Sequence, residues 1–412
     1  MIRQFAESGV MPNTARIIND GFLARMRSSV PEISAVAWSS IITGSNPAEH
    51  GIFGFTDMSA GSYKMKFPNF NDLKALPFWK RCPGKSVIIN VPSTYPVEET
   101  NGVHISGFVS VDINRSVHPS FLISELKSLD YRLDVASEKA HTDLGLFLED
   151  VDQTLSARIK AIEYLWDYVD WQVFMPTFTA TDRLMHFLFD AYEDENHQYH
   201  RDFVEHFQRI DGAIGEVCSK MTEEDNLIIL SDHGFEKLEK DVYINRLLMD
   251  EGFLKLKVGS EPKPENIDSG TRAFAMDPAR IYINRKGRYP EGSLEPPEVQ
   301  SCLNELQGLF ESLQIDGKKV IKHILRKKDV YIGPYFDNSP DMVLIGERGF
   351  NLKGSMSVAE LSGKGPFTGK HTYEDAFLLT NEKKIASKLG DNFSVTDAGK
   401  LILALTAGRR DQ

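Results

Sequence analysis

Four short blocks of the chain, in a fixed order, carry side chains that can bind a metal ion or attack an electrophile. The blocks are SVPEISAVAWSSIITG, TDRLMHF, LIILSDHGF and TGKHTYEDAF. Their reactive residues are one serine, two aspartates and three histidines: Ser34, Asp182, His186, Asp232, His233 and His371. Carboxylates and imidazoles are common protein ligands of zinc and similar divalent ions. The blocks therefore predict a site, assembled from distant parts of the chain, at which metal ligands and a hydroxyl group meet.

The charge and the cysteines limit the classes of protein to which the chain can belong. Its 412 residues carry a net charge of −12 and no dense stripe of lysine or arginine, which disfavours a nucleic-acid-coating role. The three cysteines, Cys82, Cys218 and Cys302, are far apart and form no Cys-x-x-Cys pair. Neither a thiolate zinc site nor a disulfide framework is indicated, and three reduced thiols fit a reducing compartment.

No apolar run approaches the length that crosses a membrane, so no membrane partner is expected. The first ten residues, MIRQFAESGV, lack the apolar stretch of a signal peptide. Together with the cysteine pattern, these features predict a cytoplasmic location.

Short apolar strands alternate with amphipathic helices over the first half of the chain. Residues 85–90 form a β-branched run typical of a buried parallel strand, and 171–175 and 227–230 form two more short strands. This alternation predicts an α/β fold with a mostly parallel sheet. Near residue 240 this regular alternation of strands and helices ends, which predicts an inserted α+β lobe over 241–360. Residues 1–240 and 361–412 would together form the core.

Asp182 and His186 are four residues apart, and on a helical turn they share one face. Such a pair suits zinc, although most pairs at this spacing lie on solvated helix faces. Asp232 and His233 directly follow the predicted strand 227–230, and ligands of open α/β sheets gather beyond the carboxyl ends of strands. The alternative for this second pair is a loop aspartate beside a surface histidine.

Ser34 lies just before a predicted helix, where free backbone N–H groups can bind an anion. Capping the helix is the ordinary role of a serine at such a position. No Gly-x-Ser-x-Gly elbow occurs, so a nucleophilic Ser34 would need activation by a metal. His371 follows three closely spaced glycines. A lone histidine is usually structural or exposed. His371 is a candidate metal ligand only because the other blocks also carry metal-binding residues.

Taken together, the blocks resemble those of the alkaline phosphatase superfamily, and within it the type I phosphodiesterase / nucleotide pyrophosphatase-like phosphohydrolases. The likeness extends to stretches that carry no metal ligand: SNPAEHGIFGF, GKSVIINVPSTYPVEETNGVHISGF, ARIYINRKGRYPEG and DVYIGPYFDNSPDMVLI. It implies a three-layer α/β/α core with a mostly parallel sheet and an inserted lobe. It also implies two divalent metal ions, usually zinc, with manganese as an alternative.

Carried over by position, the resemblance assigns one metal ion to Asp182, His186 and His371. It assigns the other ion to Asp232 and His233, with Ser34 bound to it as the nucleophile. Many phosphodiesterase relatives have threonine at that position, and serine does not decide between monoester and diester substrates. Ala-Val-Ala follows Ser34, so the x-Pro-x-Arg sequence of sulfatases is absent and sulfatase activity is disfavoured.

One ligand that the resemblance implies is missing from the sequence. The first strand of the family ends in an aspartate, within a Gly-Leu-Asp-Gly-like stretch, that completes the second metal site. No Gly-x-Asp-Gly sequence precedes Ser34, and Met1 stands where the segment after that strand normally begins. We therefore expect a weakened second metal site, an exposed strand edge within the sheet, and a mis-called start or a truncated chain.

These features predict a metal-dependent hydrolase of phosphoric esters, with a small phosphate ester as its substrate. A phosphomutase or phosphonate hydrolase that uses the same metals is the alternative within the superfamily. A catalytically impaired homologue that retains one metal is the alternative of another class.

Overall fold

The computed structural model describes residues 1–382 and 392–407. The helices, in chain order, are α1 (Ile2–Glu7), α2 (Pro12–Asp20), α3 (Ser34–Thr43), α4 (Pro47–His50), α5 (Leu122–Ser128), α6 (Leu144–Trp166), α7 (Ala180–Glu193), α8 (His200–Lys220), α9 (Ile244–Asp250), α10 (Pro296–Ser312), α11 (Lys327–Val330) and α12 (Val395–Ala407). The strands are β1 (Phe22–Met26), β2 (Asp57–Met58), β3 (Met65–Lys66), β4 (Lys85–Val91), β5 (Gly102–Ser106), β6 (Val117–His118), β7 (Trp171–Pro176), β8 (Ile228–Leu230), β9 (Gly234–Lys237), β10 (Lys240–Tyr243), β11 (Ala273–Met276), β12 (Arg280–Ile283), β13 (Gln314–Ile315), β14 (Lys318–Lys319), β15 (Ile321–Arg326), β16 (Met342–Gly346), β17 (Phe350–Lys353), β18 (Ser362–Gly363), β19 (Gly369–Thr372) and β20 (Ala376–Thr380). Part of the predicted core, at 383–391 and 408–412, lies outside the described residues.

The strands predicted at 85–90, 171–175 and 227–230 are confirmed as β4, β7 and β8. Strand β4 pairs in parallel with β5 on one side and β7 on the other, and β6 adds an antiparallel edge. Strands β1, β20 and β8 form a second, antiparallel group. The α/β fold class is therefore confirmed, with its parallel pairing concentrated in β5–β4–β7.

Helices cover both faces of β4, because successive side chains of a strand point to opposite sides. Ile88 packs into a hydrophobic cluster with residues of α3 and α12. Val87 and Ile89 pack on the other face, into a cluster with residues of α5 and α6. This arrangement is the three-layer α/β/α core that the resemblance implies. None of the described helices combines the length and the apolar character needed to span a membrane.

Strands β7 and β8 are less buried than β4 at the centre of its sheet. Among the described strands, β7 pairs only with β4 and β8 only with β20. Every residue of β7 and β8 is half-buried, whereas β4 is buried from its second residue onwards. Val173 of β7 and Ile228 of β8 nevertheless pack against the same hydrophobic cluster.

The region 241–360 contains its own antiparallel sheet, in the order β11–β12–β16–β15. Strands β12 and β16 pair at the centre of this sheet, and α10 lies between them in the chain. Apolar residues of this sheet and of α10 share one large hydrophobic cluster. The division of the chain at residues 241 and 360 stays a prediction.

The buried His104 makes the stability of the fold sensitive to acid. Burial lowers the pKa of its imidazole from 6.5 to about 3, and neither ring nitrogen is hydrogen-bonded to a described residue. Below about pH 6.5 the unfolded chain therefore binds a proton that the folded protein does not, and stability falls as the pH drops towards about 3. At about pH 5 the neutral, buried His104 lowers the free energy of unfolding by about 2 kcal/mol.

When the pH is lowered from about 7.5 to about 5, the free energy of unfolding should fall in both the wild type and the variant His104→Leu. We expect the fall to be about 2 kcal/mol smaller in the variant. Urea denaturation at the two pH values measures this difference. The variant His197→Leu, at a partly exposed histidine, serves as the matched control. If His104→Leu keeps the wild-type pH dependence, His104 is not a neutral buried group.

Candidate metal centre

The strand order brings the predicted site residues to one edge of the core. Helix α7 starts just after β7, which places Asp182 and His186 in its first turns. Asp232 and His233 directly follow β8. Strand β9 begins at the next residue and pairs with β19, so that His371 lies opposite Phe235, two residues after His233.

Asp182, His186 and His371 form one compact group. Nε2 of His371 lies 3.0 Å from Oδ1 of Asp182 and 2.9 Å from Nε2 of His186. Nε2 of His186 is 3.6 Å from the same carboxylate oxygen. One ligand atom from each residue lies within 4.8 Å of the others, which is close enough to hold one metal ion.

Ser34, Asp232 and His233 form a second group that adjoins the first. Ser34 Oγ lies 3.2 Å from Nε2 of His233, which is 3.3 Å from Oδ2 of Asp232. The same Nε2 is 3.7 Å from Oδ1 of Asp182. The rings of His233 and His371 stack with their centroids 3.5 Å apart. All six residues singled out from the sequence therefore lie together.

Each of the three imidazoles has its Nδ1 next to a backbone carbonyl. Nδ1 of His186 is 3.2 Å from the Gly369 oxygen, and Nδ1 of His371 is 3.1 Å from the Glu32 oxygen. Nδ1 of His233 is 3.2 Å from the Gly234 oxygen. A carbonyl can only accept, so Nδ1 carries the proton and Nε2 presents a lone pair to the centre, as metal-binding histidines do.

Burial and charge set the protonation of the first group. Burial lowers the pKa of His371 to about 3 and also lowers the pKa of His186. Burial opposes ionisation of Asp182, but His186, His371 and Arg183 outweigh it and hold its pKa well below the ordinary value. The group therefore offers one anionic oxygen and two neutral nitrogens, the protonation state in which these residues ligate a divalent cation.

Asp232 indicates, independently of the first group, that the second group binds a cation. Burial raises the pKa of its carboxyl group. Its Oδ2 is buried and accepts no hydrogen bond from a described residue, although a buried carboxylate oxygen normally has a partner. A divalent cation between Asp232 and His233 would satisfy this oxygen, so the donor set of the second group fits a metal.

Arg183 is a site residue that the sequence analysis does not identify. Its Nη1 donates to Oδ2 of Asp182 at 2.6 Å, and its Nη2 donates to Oδ2 of Asp134 at 3.1 Å. Asp134 in turn accepts from Thr179, whose hydroxyl accepts from the amide of Asn90. Arg183 is visible beside Asp182 in the sequence, but nothing there indicates its contact with Asp134, 49 positions earlier.

Comparisons with known proteins show the family and the fold of the chain. A profile of the family described as Type I phosphodiesterase / nucleotide pyrophosphatase matches residues 1–374. A search of curated proteins gives no match. Solved structures give matches over nearly the whole chain.

Three of these structures illustrate the likeness. Phosphonoacetate hydrolase from Sinorhizobium meliloti, in complex with phosphonoacetate, is 14% identical over 97% of this chain and 91% of that chain, with a TM-score of 0.64. Human ectonucleotide pyrophosphatase / phosphodiesterase 5 is 14% identical over 96% and 90% of the two chains, with a TM-score of 0.54. The alkaline phosphatase PafA is 13% identical over 96% and 90%, with a TM-score of 0.52. Identities this low establish a shared fold, not a shared substrate.

The family profile covers most of the chain, and the three solved structures share its fold over at least 90% of their own length. The chain therefore belongs to the type I phosphodiesterase / nucleotide pyrophosphatase family, a family of phosphoester hydrolases.

Proposed function

We propose that the chain hydrolyses small phosphoric esters, with Ser34 as the nucleophile and two divalent metal ions, zinc or manganese, as cofactors. Asp182, His186 and His371 would hold one ion. Asp232, His233 and the hydroxyl of Ser34 would hold the other. The observation that carries the proposal is the 3.2 Å approach of Ser34 Oγ to His233, within a set of inward-facing imidazole nitrogens and carboxylates. Three free cysteines support a cytoplasmic location.

Bound divalent ions would lower the pKa of the serine hydroxyl and neutralise negative charge on the phosphoryl group. The chain's own residues orient the hydroxyl. Because Nδ1 of His233 donates to the Gly234 carbonyl, its Nε2, 3.2 Å from Ser34 Oγ, keeps a lone pair for the ion that would also hold the hydroxyl. Ser34 also begins α3, so the helix backbone fixes the position of its side chain.

The start of α3 suits the phosphoryl oxygens. The N-terminus of a helix leaves backbone N–H groups without partners and carries partial positive charge. Within the described residues, the N–H groups of Ser34 and Ala35 make no backbone hydrogen bond, and Ile33 at the N-cap makes no side-chain cap. A phosphoryl group attached to Ser34 would therefore have two free donors beside it.

Arg183 acts as a positioning residue in this proposal. By donating to Oδ2 of Asp182, it turns Oδ1 of the same carboxylate towards His371 and His186. Asp134 holds the other arm of the guanidinium and offsets its charge. Arg183 thus orients a metal ligand and does not need to touch the substrate.

Replacement of the nucleophile tests the proposal. Ser34→Ala should lower kcat on para-nitrophenyl phosphate and bis(para-nitrophenyl) phosphate by at least about a thousandfold, because it removes the hydroxyl that attacks the phosphorus. Both esters are assayed with zinc and with manganese. Ser45→Ala, at a half-buried serine just beyond the same helix, is the control and should keep wild-type turnover. Activity of Ser34→Ala within tenfold of the wild type would rule out Ser34 as the nucleophile.

Counting metal ions tests the cofactors separately. Elemental analysis of the zinc-loaded wild type should give two ions per chain, and His371→Ala should retain only one, because it removes a nitrogen from the Asp182 group. His197→Ala, at a histidine outside both groups, should retain two. A wild type that binds a single ion would contradict the two-metal proposal and favour the catalytically impaired homologue.

A further inference from the structure

One aromatic ring, that of Phe235, contacts the imidazoles of all three histidines of the metal centre. Its centroid lies 4.9 Å from that of His186 and 5.0 Å from that of His371, with an angle of 75° between the planes in both pairs. The ring of His233 lies 5.5 Å away and is tilted by 55°. The first two histidines belong to the first residue group and His233 belongs to the second. Phe235 is therefore shared by both groups.

Strand pairing places the Phe235 ring against these imidazoles. Phe235 lies opposite His371 in the antiparallel pair β9–β19, and the side chains of opposite residues in such a pair stand on the same face and contact each other. A Cβ at Gly369, the first residue of β19, would lie 2.3 Å from the Met185 carbonyl oxygen of α7. Glycine at this position therefore lets β19 approach the helix turn that carries His186.

The Phe235 ring complements the hydrogen bonds of the imidazoles. The bonds from Nδ1 to backbone carbonyls fix which nitrogen faces inward, and the contact with Phe235 restricts how each ring can tilt. A phenyl ring has no hydrogen-bond donor, so it leaves the Nε2 lone pairs free for a cation. An apolar shell also controls how far water reaches a metal site, and ligands that are already in place lose less freedom when they bind the ion.

Two neighbouring phenylalanines provide matched comparisons. The ring of Phe367 lies 4.9 Å from that of His186 and, among the described residues, makes no ring contact with the other two histidines. The ring of Phe189 lies 6.5 Å from that of Phe235 and, within the same part of the chain, makes no ring contact with any of the three. The three phenylalanines therefore contact three, one and none of the imidazoles.

We propose that Phe235 is a positioning residue for both metal ions. By packing against all three imidazoles it holds their Nε2 atoms in the geometry that binds a cation, so its loss weakens the binding of both ions together. The proposal rests on the proposed function, because it takes each of the two residue groups to bind one ion. Phe235 acts through the histidines and does not need to touch the substrate.

The zinc affinity of the metal-free protein, measured by competition with a chromophoric chelator, tests the proposal without any need for turnover. The wild type should give two dissociation constants, and Phe235→Leu should raise both of them about tenfold. Phe367→Leu should raise only one constant by about tenfold and leave the other within about twofold of the wild type. Phe189→Leu removes a ring that is only 5% exposed, and should leave both constants within about twofold of the wild type.

Two further variants separate the ring from the fold. Phe235→Met is a second ring-free variant, which replaces Phe235→Leu if that protein does not fold, and it should also raise both constants. Phe235→Tyr keeps the ring and should bind both ions within about threefold of the wild type.

Three results would overturn the role of Phe235 and leave the proposed function standing. They are wild-type constants in the ring-free variants, a rise of only one constant in these variants, and an equal rise of both constants in Phe189→Leu. Binding of fewer than two zinc ions by the wild type would overturn the proposed function and this proposal with it.

Discussion

The three imidazoles of the centre are fixed by hydrogen bonds from their Nδ1 atoms to backbone carbonyls at Gly369, Glu32 and Gly234. These bonds determine which nitrogen faces inward, and the inward nitrogens determine where a cation can lie. Two of the carbonyls belong to β19 and β9, which pair with each other. The geometry of the centre therefore depends on backbone pairing, so a change in the register of this small sheet would displace ligands from both groups.

The apolar runs were sufficient to predict β4, β7 and β8, because a buried strand requires a continuous run of β-branched and other apolar residues. The six site residues could be singled out because their blocks combine ligand residues with the strand and helix ends that carry them. The antiparallel group β1–β20–β8 could not be predicted, because strand order depends on contacts between distant parts of the chain.

Several residues around the centre left no local signal in the sequence. Asp134 reaches Arg183 from 49 positions earlier in the chain. Phe108 lies in a stretch whose resemblance to the family was apparent, yet its contact with Arg183 follows from a loop held by positive φ at Val109. Such contacts become visible only when the chain is folded. Strand β7 leads to Asp182 and β8 leads to Asp232, and each of these strands has only one pairing partner among the described strands.

The central claim is that each of the two residue groups binds one divalent ion. Anomalous diffraction from zinc-loaded crystals tests this claim most directly. The account predicts two zinc peaks about 3.5–4 Å apart. One peak should be bound by Asp182, His186 and His371, and the other by Asp232, His233 and Ser34 Oγ. A single peak, or two peaks that leave Asp232 and Ser34 without a metal contact, would contradict the account.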